Sequence, residues 1–152
     1  MIIIEFIVAM VATVSFAILF NAPKEEVFYC GLTGALGWTV YYAMTQNSIS
    51  SVLASLIATF CLTILARCLA VIRKNPATMY VLPGIFPLVP GAGIYYTAYY
   101  LFIGNTEMSG FKGLETLEIA GAIVFGIIFG LGIPQRFFHK LSPQKMDLNE
   151  EN

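Results

Sequence analysis

The chain has 152 residues, 58% of them hydrophobic and 11% charged, with a net charge of −1. A soluble domain of this length carries about a quarter charged residues, so the composition excludes a soluble globule and predicts an integral membrane protein. The eight Lys and Arg are scattered near segment ends and form no clustered basic face, which excludes nucleic acid as a partner.

Met1 to Phe20 is almost wholly apolar, carries Glu5 where a signal peptide has a basic region, and lacks a small-residue cleavage site. It reads as a retained first span, closed by Asn21-Ala22-Pro23 and a solvated Lys24-Glu25-Glu26 turn, with Asn21 as a helix cap. The second span, Val27 to Thr45, carries Gly31, Gly34 and Gly37 at successive i, i+3 steps. In lipid, helices associate by close packing, so this bare face predicts a packing seam. Tyr41 and Tyr42 lie near the end of this span, where amphipathic rings favour the headgroup level.

A third span runs from about Ser51 to Ile72 and contains Arg67. That guanidinium either snorkels towards the interface beside Arg73 and Lys74 or acts as a functional charge inside the membrane. Cys30, Cys61 and Cys68 all fall in apolar runs with neither disulfide nor zinc spacing, and read as free thiols.

Lys74-Asn75-Pro76 leads into a fourth span, Met79 to Ile103, which contains Pro83-Gly84-Ile85-Phe86-Pro87-Leu88-Val89-Pro90-Gly91-Ala92-Gly93. Each proline lacks a backbone N–H and clashes with the carbonyl one turn earlier, and Leu82, Phe86 and Val89, each preceding a proline, are biased to extended dihedrals. Two half-helices are predicted, with Gly91 opening the second. Unpaired backbone groups at membrane depth must then face protein or a watery cavity. A half-helix N-terminus near the midplane is the arrangement by which transporters hold anionic groups, and Gly91 and Gly93 keep the backbone approachable. A β-branched residue at Gly91 is expected to crowd that backbone and oppose any positive φ.

Gly104 to Thr116 reads as a polar connection, followed by a last span, Leu117 to Ile133, with Gly126 and Gly130 on one face and Pro134 as its stop. Glu118, at its entrance, is either a first-turn acid favoured by the helix dipole or a proton-carrying carboxylate. Residues 135–152, with Arg136, His139, Lys140 and Lys145, read as a solvated cytoplasmic tail. The fold expected is therefore all-α, one transmembrane domain over 1–134 with spans at about 2–20, 27–45, 51–72, 79–103 and 117–133, the fourth broken.

Five crossings put Lys24, Arg73, Lys74, Arg136, Lys140 and Lys145 on one side against Lys112 on the other, which places the N-terminus outside and the C-terminus in the cytoplasm. A re-entrant fourth segment would instead split the charges almost evenly. One histidine, no paired catalytic carboxylates, no phosphate loop and no Cys/His cluster argue against an enzyme, a metal site or a cofactor.

Three stretches together resemble a known family: Phe20-Asn21-x-Pro23, Gly31-x-x-Gly34-x-x-Gly37, and Asn75-Pro76 followed by Pro83 to Gly91 with Tyr95 beyond. They are similar to the threonine/serine exporter family, in particular its small membrane subunit or C-terminal half. The resemblance implies proton-driven export of small carboxylate-bearing metabolites across the inner membrane, threonine and serine in fused members and a dicarboxylate such as succinate in two-subunit members. It also implies a larger partner subunit corresponding to the N-terminal half of fused members, with a homo-oligomer compatible. Pro83, Gly84, Pro87, Pro90, Gly91, Gly93 and Tyr95 are the expected substrate or gating residues, and Glu118 and Arg67 the candidate ion-coupling groups. A channel-like homo-oligomer and a non-transporting accessory subunit are the alternatives.

Overall fold

A computed structural model describes residues 1–134. The expected tail, with Arg136, His139, Lys140 and Lys145, lies outside the described residues. Six α-helices run in chain order: α1 Ile2–Leu19, α2 Val27–Gln46, α3 Ser51–Arg73, α4 Thr78–Ile85, α5 Gly91–Phe102 and α6 Thr106–Gly132. A short 3-10 turn, Phe86–Leu88, joins α4 to α5. No strand occurs among the described residues.

Three helices, α1, α3 and α6, are long and apolar enough to cross a membrane. The α4–α5 pair, bent by 48° at its break, makes a fourth if it is one crossing. The 20-residue α2 falls short of the same apolarity, because Gly, Thr, Trp and Tyr replace aliphatic residues along it. Three or four of the five expected spans are thus supported by length and composition.

Helix ends follow local chemistry. α1 closes with Asn21 at φ +57°, while Asn21 N–H donates to Ile18 O at 2.9 Å and Ala22 N–H to Ala17 O at 3.0 Å, the paired bonds of a left-handed helix cap. Lys74 takes the same conformation after α3, with Asn75 N–H donating to Ala70 O at 3.0 Å. α6 begins earlier than the sequence predicts: Asn105 accepts from Met108 N–H at 3.1 Å, and the polar stretch 106–116 is helical. Polarity there marks depth in the membrane, and the cap marks the helix start.

The helices α2 and α3 form the centre. α1 packs on α2, α6 packs on α3, α4 sits against α2 and α3, and α5 leaves this group to pair with α6. Small residues dominate the interior: Ala17, Ala35, Ala54, Ala58 and Ala66 are fully buried, as are Thr13, Thr33, Thr59 and Thr63. Large aliphatic residues face outward instead, the pattern of helices that pack by close approach and turn their bulk towards lipid.

The glycine faces meet neighbours within the chain. A Cβ at Gly31 would sit 2.6 Å from Val14 of α1, one at Gly34 would overlap Thr13, and one at Gly37 would lie 2.7 Å from Leu62 of α3. On α6, a Cβ at Gly126 would lie 2.7 Å from Leu56 O and one at Gly130 would lie 2.6 Å from Thr63. These contacts are all intramolecular, so the bare faces give no support to a partner subunit.

The proline segment departs from expectation in its details. Leu82 and Pro83 lie inside α4, and Phe86 is helical at φ −56°, ψ −40°; of the three residues preceding a proline in this segment, Val89 alone is extended, at φ −59°, ψ 130°. Val89 and Pro90, the latter at φ −76°, ψ 58°, make the break. The carbonyls that the prolines deprive of helix donors are also satisfied. Cys30 Sγ donates to Met79 O at 3.4 Å, four residues before Pro83. Phe86 N–H serves Pro83 O, and Val89 N–H serves Phe86 O at 3.2 Å. The buried thiol of Cys30 therefore replaces a missing backbone N–H from a neighbouring helix, which is a structural role.

Candidate functional site

The bend at Val89-Pro90 lifts α5 away from the central helices and opens a cleft of about 360 Å³ between the break, α2, α3 and α6. Its walls are Trp38 and Tyr41 of α2, Ser55 of α3, residues Pro87 to Gly93, Tyr96 of α5, and Lys112, Glu115, Thr116 and Ile119 of α6. Most of the wall surface is apolar, and the polar groups come from a few defined places.

The first is the start of α5. Gly91 N–H donates to Val89 O at 2.7 Å and Ile94 N–H to Pro90 O at 3.1 Å, which leaves the N–H groups of Ala92 and Gly93 as the unmatched donors of the first turn. Their partial positive charge favours an anion. Gly93 brings α5 against α6, since a Cβ there would overlap Thr116 Oγ1. Gly91 behaves otherwise: it has no positive φ, and a Cβ at this position would meet nothing within 4 Å. The expected crowding at Gly91 is therefore incorrect, and the close approach belongs to Gly93.

The second is an ion pair on α6, Lys112 Nζ to Glu115 Oε2 at 2.8 Å, with both side chains partly exposed. The third is Ser55, fully buried on α3. Trp38 is held in place from behind, because its Nε1–H donates to Glu5 Oε2 of α1 at 2.9 Å.

Of the residues singled out in the sequence, Pro87, Pro90, Gly91 and Gly93 line this cleft, while Pro83 and Gly84 are buried in the packing of α4. Gly84 lets α4 approach Thr33 and Leu62, where a Cβ would stand at 3.1 and 3.2 Å. Tyr95 points outward with 63% of its surface exposed, and the cleft tyrosine is its neighbour Tyr96. Glu118 is exposed on α6 and is not part of the cleft wall. Arg67 is buried, and its Nη1 donates to the carbonyls of Gly130 at 3.0 Å, Leu131 at 2.9 Å and Ile133. It neither snorkels nor enters the cleft; it caps the C-terminal end of α6, where a cation complements the helix dipole. Ser55, Trp38, Lys112 and Glu115 have no distinguishing signal in the sequence. Their approach depends on how far α5 swings at the break.

At the other end of the bundle, Glu26 accepts from Arg73 Nη2 at 2.7 Å, from Arg73 Nε at 3.0 Å and from Tyr80 Oη at 2.7 Å. Asn75 Nδ2 donates to Tyr80 Oη at 3.3 Å, and the Arg73 guanidinium lies 4.4 Å above the Tyr29 ring. Hydrogen bonding from Arg73 is the main cause that holds the Glu26 carboxyl below the usual carboxylate range; burial opposes it, and the Tyr80 hydroxyl adds to the lowering.

The family described as "Threonine/Serine exporter, ThrE" matches residues 5–132. A probable threonine/serine exporter of Mycobacterium tuberculosis is 26% identical over 119 residues, covering 76% of this chain and 22% of that protein. An uncharacterized protein of Haemophilus influenzae is 22% identical over 143 residues, covering 91% of this chain and 48% of that protein. The chain thus spans about half the length of one of these curated relatives and about a fifth of the other. No solved structure matches. The family match runs through the break, the cleft and both glycine faces, and the chain belongs to the threonine/serine exporter family.

Proposed function

We propose that this chain is the membrane subunit of an exporter for small carboxylate-bearing metabolites, either amino acids of the threonine/serine type or a dicarboxylate such as succinate. The observation that carries the reading is the cleft at the broken helix, where unmatched N–H donors of α5 meet a polar α6 wall. Family membership supports export as the activity. In this reading the chain lies in the inner membrane with five crossings, its N-terminus outside and its C-terminus in the cytoplasm. The distribution of Lys and Arg supports that orientation. Export draws on the proton gradient and uses a larger membrane subunit of the same family.

Efflux of L-threonine and of succinate from preloaded cells, with this chain expressed alone and with its partner, tests the reading. Gradient-dependent efflux that needs both subunits is the expected result. Gradient-independent flux through the purified chain alone would establish a channel, and normal export by the partner alone would reduce this chain to an accessory subunit.

A further inference from the structure

Ser55, Thr59, Thr63 and Arg67 follow one another at four-residue steps on α3 and so share one face. Three of them are spent on the helix or on α6. Thr59 packs where Gly126 lacks a side chain, Thr63 does the same at Gly130, and Arg67 caps the α6 carbonyls. Ser55 stands one turn further along, where that face passes into the cleft wall.

The hydroxyls elsewhere in these helices show what an idle one does. Thr13, Thr39, Thr59, Thr63, Thr97 and Thr116 each donate to the carbonyl four residues earlier, at 2.6 to 2.8 Å. A helical hydroxyl in apolar surroundings ordinarily satisfies itself this way. Ser55 does not. Its Oγ is buried and has no hydrogen-bond partner among the described residues. Leaving a buried hydroxyl unpaired is unfavourable, and native proteins rarely do so without a reason.

We propose that Ser55 is a ligand-contacting residue of the cleft, its hydroxyl donating to an oxygen of the small carboxylate-bearing solute that the α5 N-terminus receives. The inference deepens the exporter reading and rests on it for the identity of the solute. Two features point into one space: the unmatched N–H groups of Ala92 and Gly93 on one wall and the unpartnered Ser55 Oγ on another. A ligand held at both would bridge α3 and α5 across the cleft.

The test uses the full chain in membrane vesicles, with Ser55→Cys and, as the control, Thr59→Cys, each compared with the wild-type background set by Cys30, Cys61 and Cys68. The probe is 2-aminoethyl methanethiosulfonate, with L-threonine or succinate as protectant. A cysteine at position 55 should react about tenfold faster than one at 59, which faces packed α6 backbone, and either solute should slow it while leaving position 59 unchanged. Equal, slow labelling at both positions overturns the proposal by showing that position 55 does not face the cleft. Fast labelling that neither solute slows overturns it too, because the residue then faces the cleft without touching ligand. Protection in vesicles that do not transport the protecting solute would uphold the site and overturn the exporter reading instead.

Discussion

The two ends of this bundle treat polar groups in opposite ways. Around Glu26 the polar groups close on one another: Arg73 and Tyr80 both converge on one carboxylate, and Asn75 supports the tyrosine. Around Ser55 and the start of α5, a buried hydroxyl and the N–H groups of Ala92 and Gly93 are left without a partner, and the ion pair there, Lys112 with Glu115, is partly exposed. A closed polar network fixes helices relative to one another, whereas leftover hydrogen-bonding capacity in a cleft is what a ligand can use. The Glu26 end is thus closed and the break open, and the contrast can be attacked from either side.

The largest effect is expected at the closed end. Glu26→Ala strands the Tyr80 hydroxyl, which is fully buried, and the Arg73 guanidinium, whose side chain is 30% exposed. Removing one partner of a buried pair costs about 3 to 5 kcal/mol, and the partial exposure of Arg73 puts this case near the lower figure. Thermal unfolding in detergent should show a large drop in midpoint; a midpoint equal to wild type would show that the network is decorative. Acid provides a second check. The folded carboxyl lies below its ordinary value, so its contribution is complete above about pH 4.5 and is lost as pH falls through the lower folded value. Stability should be flat from neutral to weakly acid pH and then decline, while Glu26→Gln should remove that decline.

Next in size is the α5–α6 contact that shapes the cleft. Gly93→Ala drives a methyl into Thr116 Oγ1, an overpacking worth about 1 to 3 kcal/mol, and the easiest relief is for α5 to move off α6. Solute efflux at matched protein level should fall steeply. Adding Thr116→Ala should restore much of it, because the next nearest atom, Thr116 Cβ, lies at 3.3 Å. Failure of that rescue would mean that the glycine matters for some reason other than space.

A smaller effect is expected at Cys30. With Cys30→Ala, Met79 O loses the donor that stands in for the N–H that Pro83 lacks, at a cost of about 1 kcal/mol, the low end for an unsatisfied buried group since a thiol donates weakly. Cys30→Ser should keep the bond and the stability. Paired unfolding midpoints for the two variants decide the matter, and equal midpoints would deny the thiol its role.

How much of this is legible in the sequence depends on how local each determinant is. Composition, the proline break and the end of α1 at Asn21-Ala22-Pro23 rest on neighbouring residues, and the helix ends form where that chemistry puts them. The glycine faces are legible as seams, but not whether an internal or an external helix fills them. Roles set across helices are hidden. Arg67 reads as a membrane charge because nothing near it in sequence reveals that the α6 carbonyls end beside it. Glu118 stands out for its position in the chain, yet α6 turns it outward. Ser55 looks like any other helical serine, and its distinction is a missing bond that requires all of its neighbours to be placed.

The smallest effect is the sharpest test of the cleft, because it sets two glycines two residues apart against each other. On sequence grounds Gly91 is the critical one, because a bulkier residue there would crowd the backbone and oppose any positive φ. The structure gives it neither: no positive φ is found there, and a Cβ meets nothing within 4 Å. Gly91 occupies the first position of α5, where its N–H is already taken by Val89 O, so a methyl group removes no donor from the cleft. Replacing glycine by alanine where the backbone allows it also reduces the freedom of the unfolded chain, for a gain of about 0.4 to 1 kcal/mol. Gly91→Ala should therefore keep efflux within about twofold of wild type and raise stability slightly, while Gly93→Ala loses export. Efflux of both variants in one assay, at matched protein level, decides between them. If Gly91→Ala were the inactive one and Gly93→Ala the active one, the cleft wall would have to be redrawn around Gly91, and the contact of Gly93 with Thr116 would be reduced to ordinary helix packing.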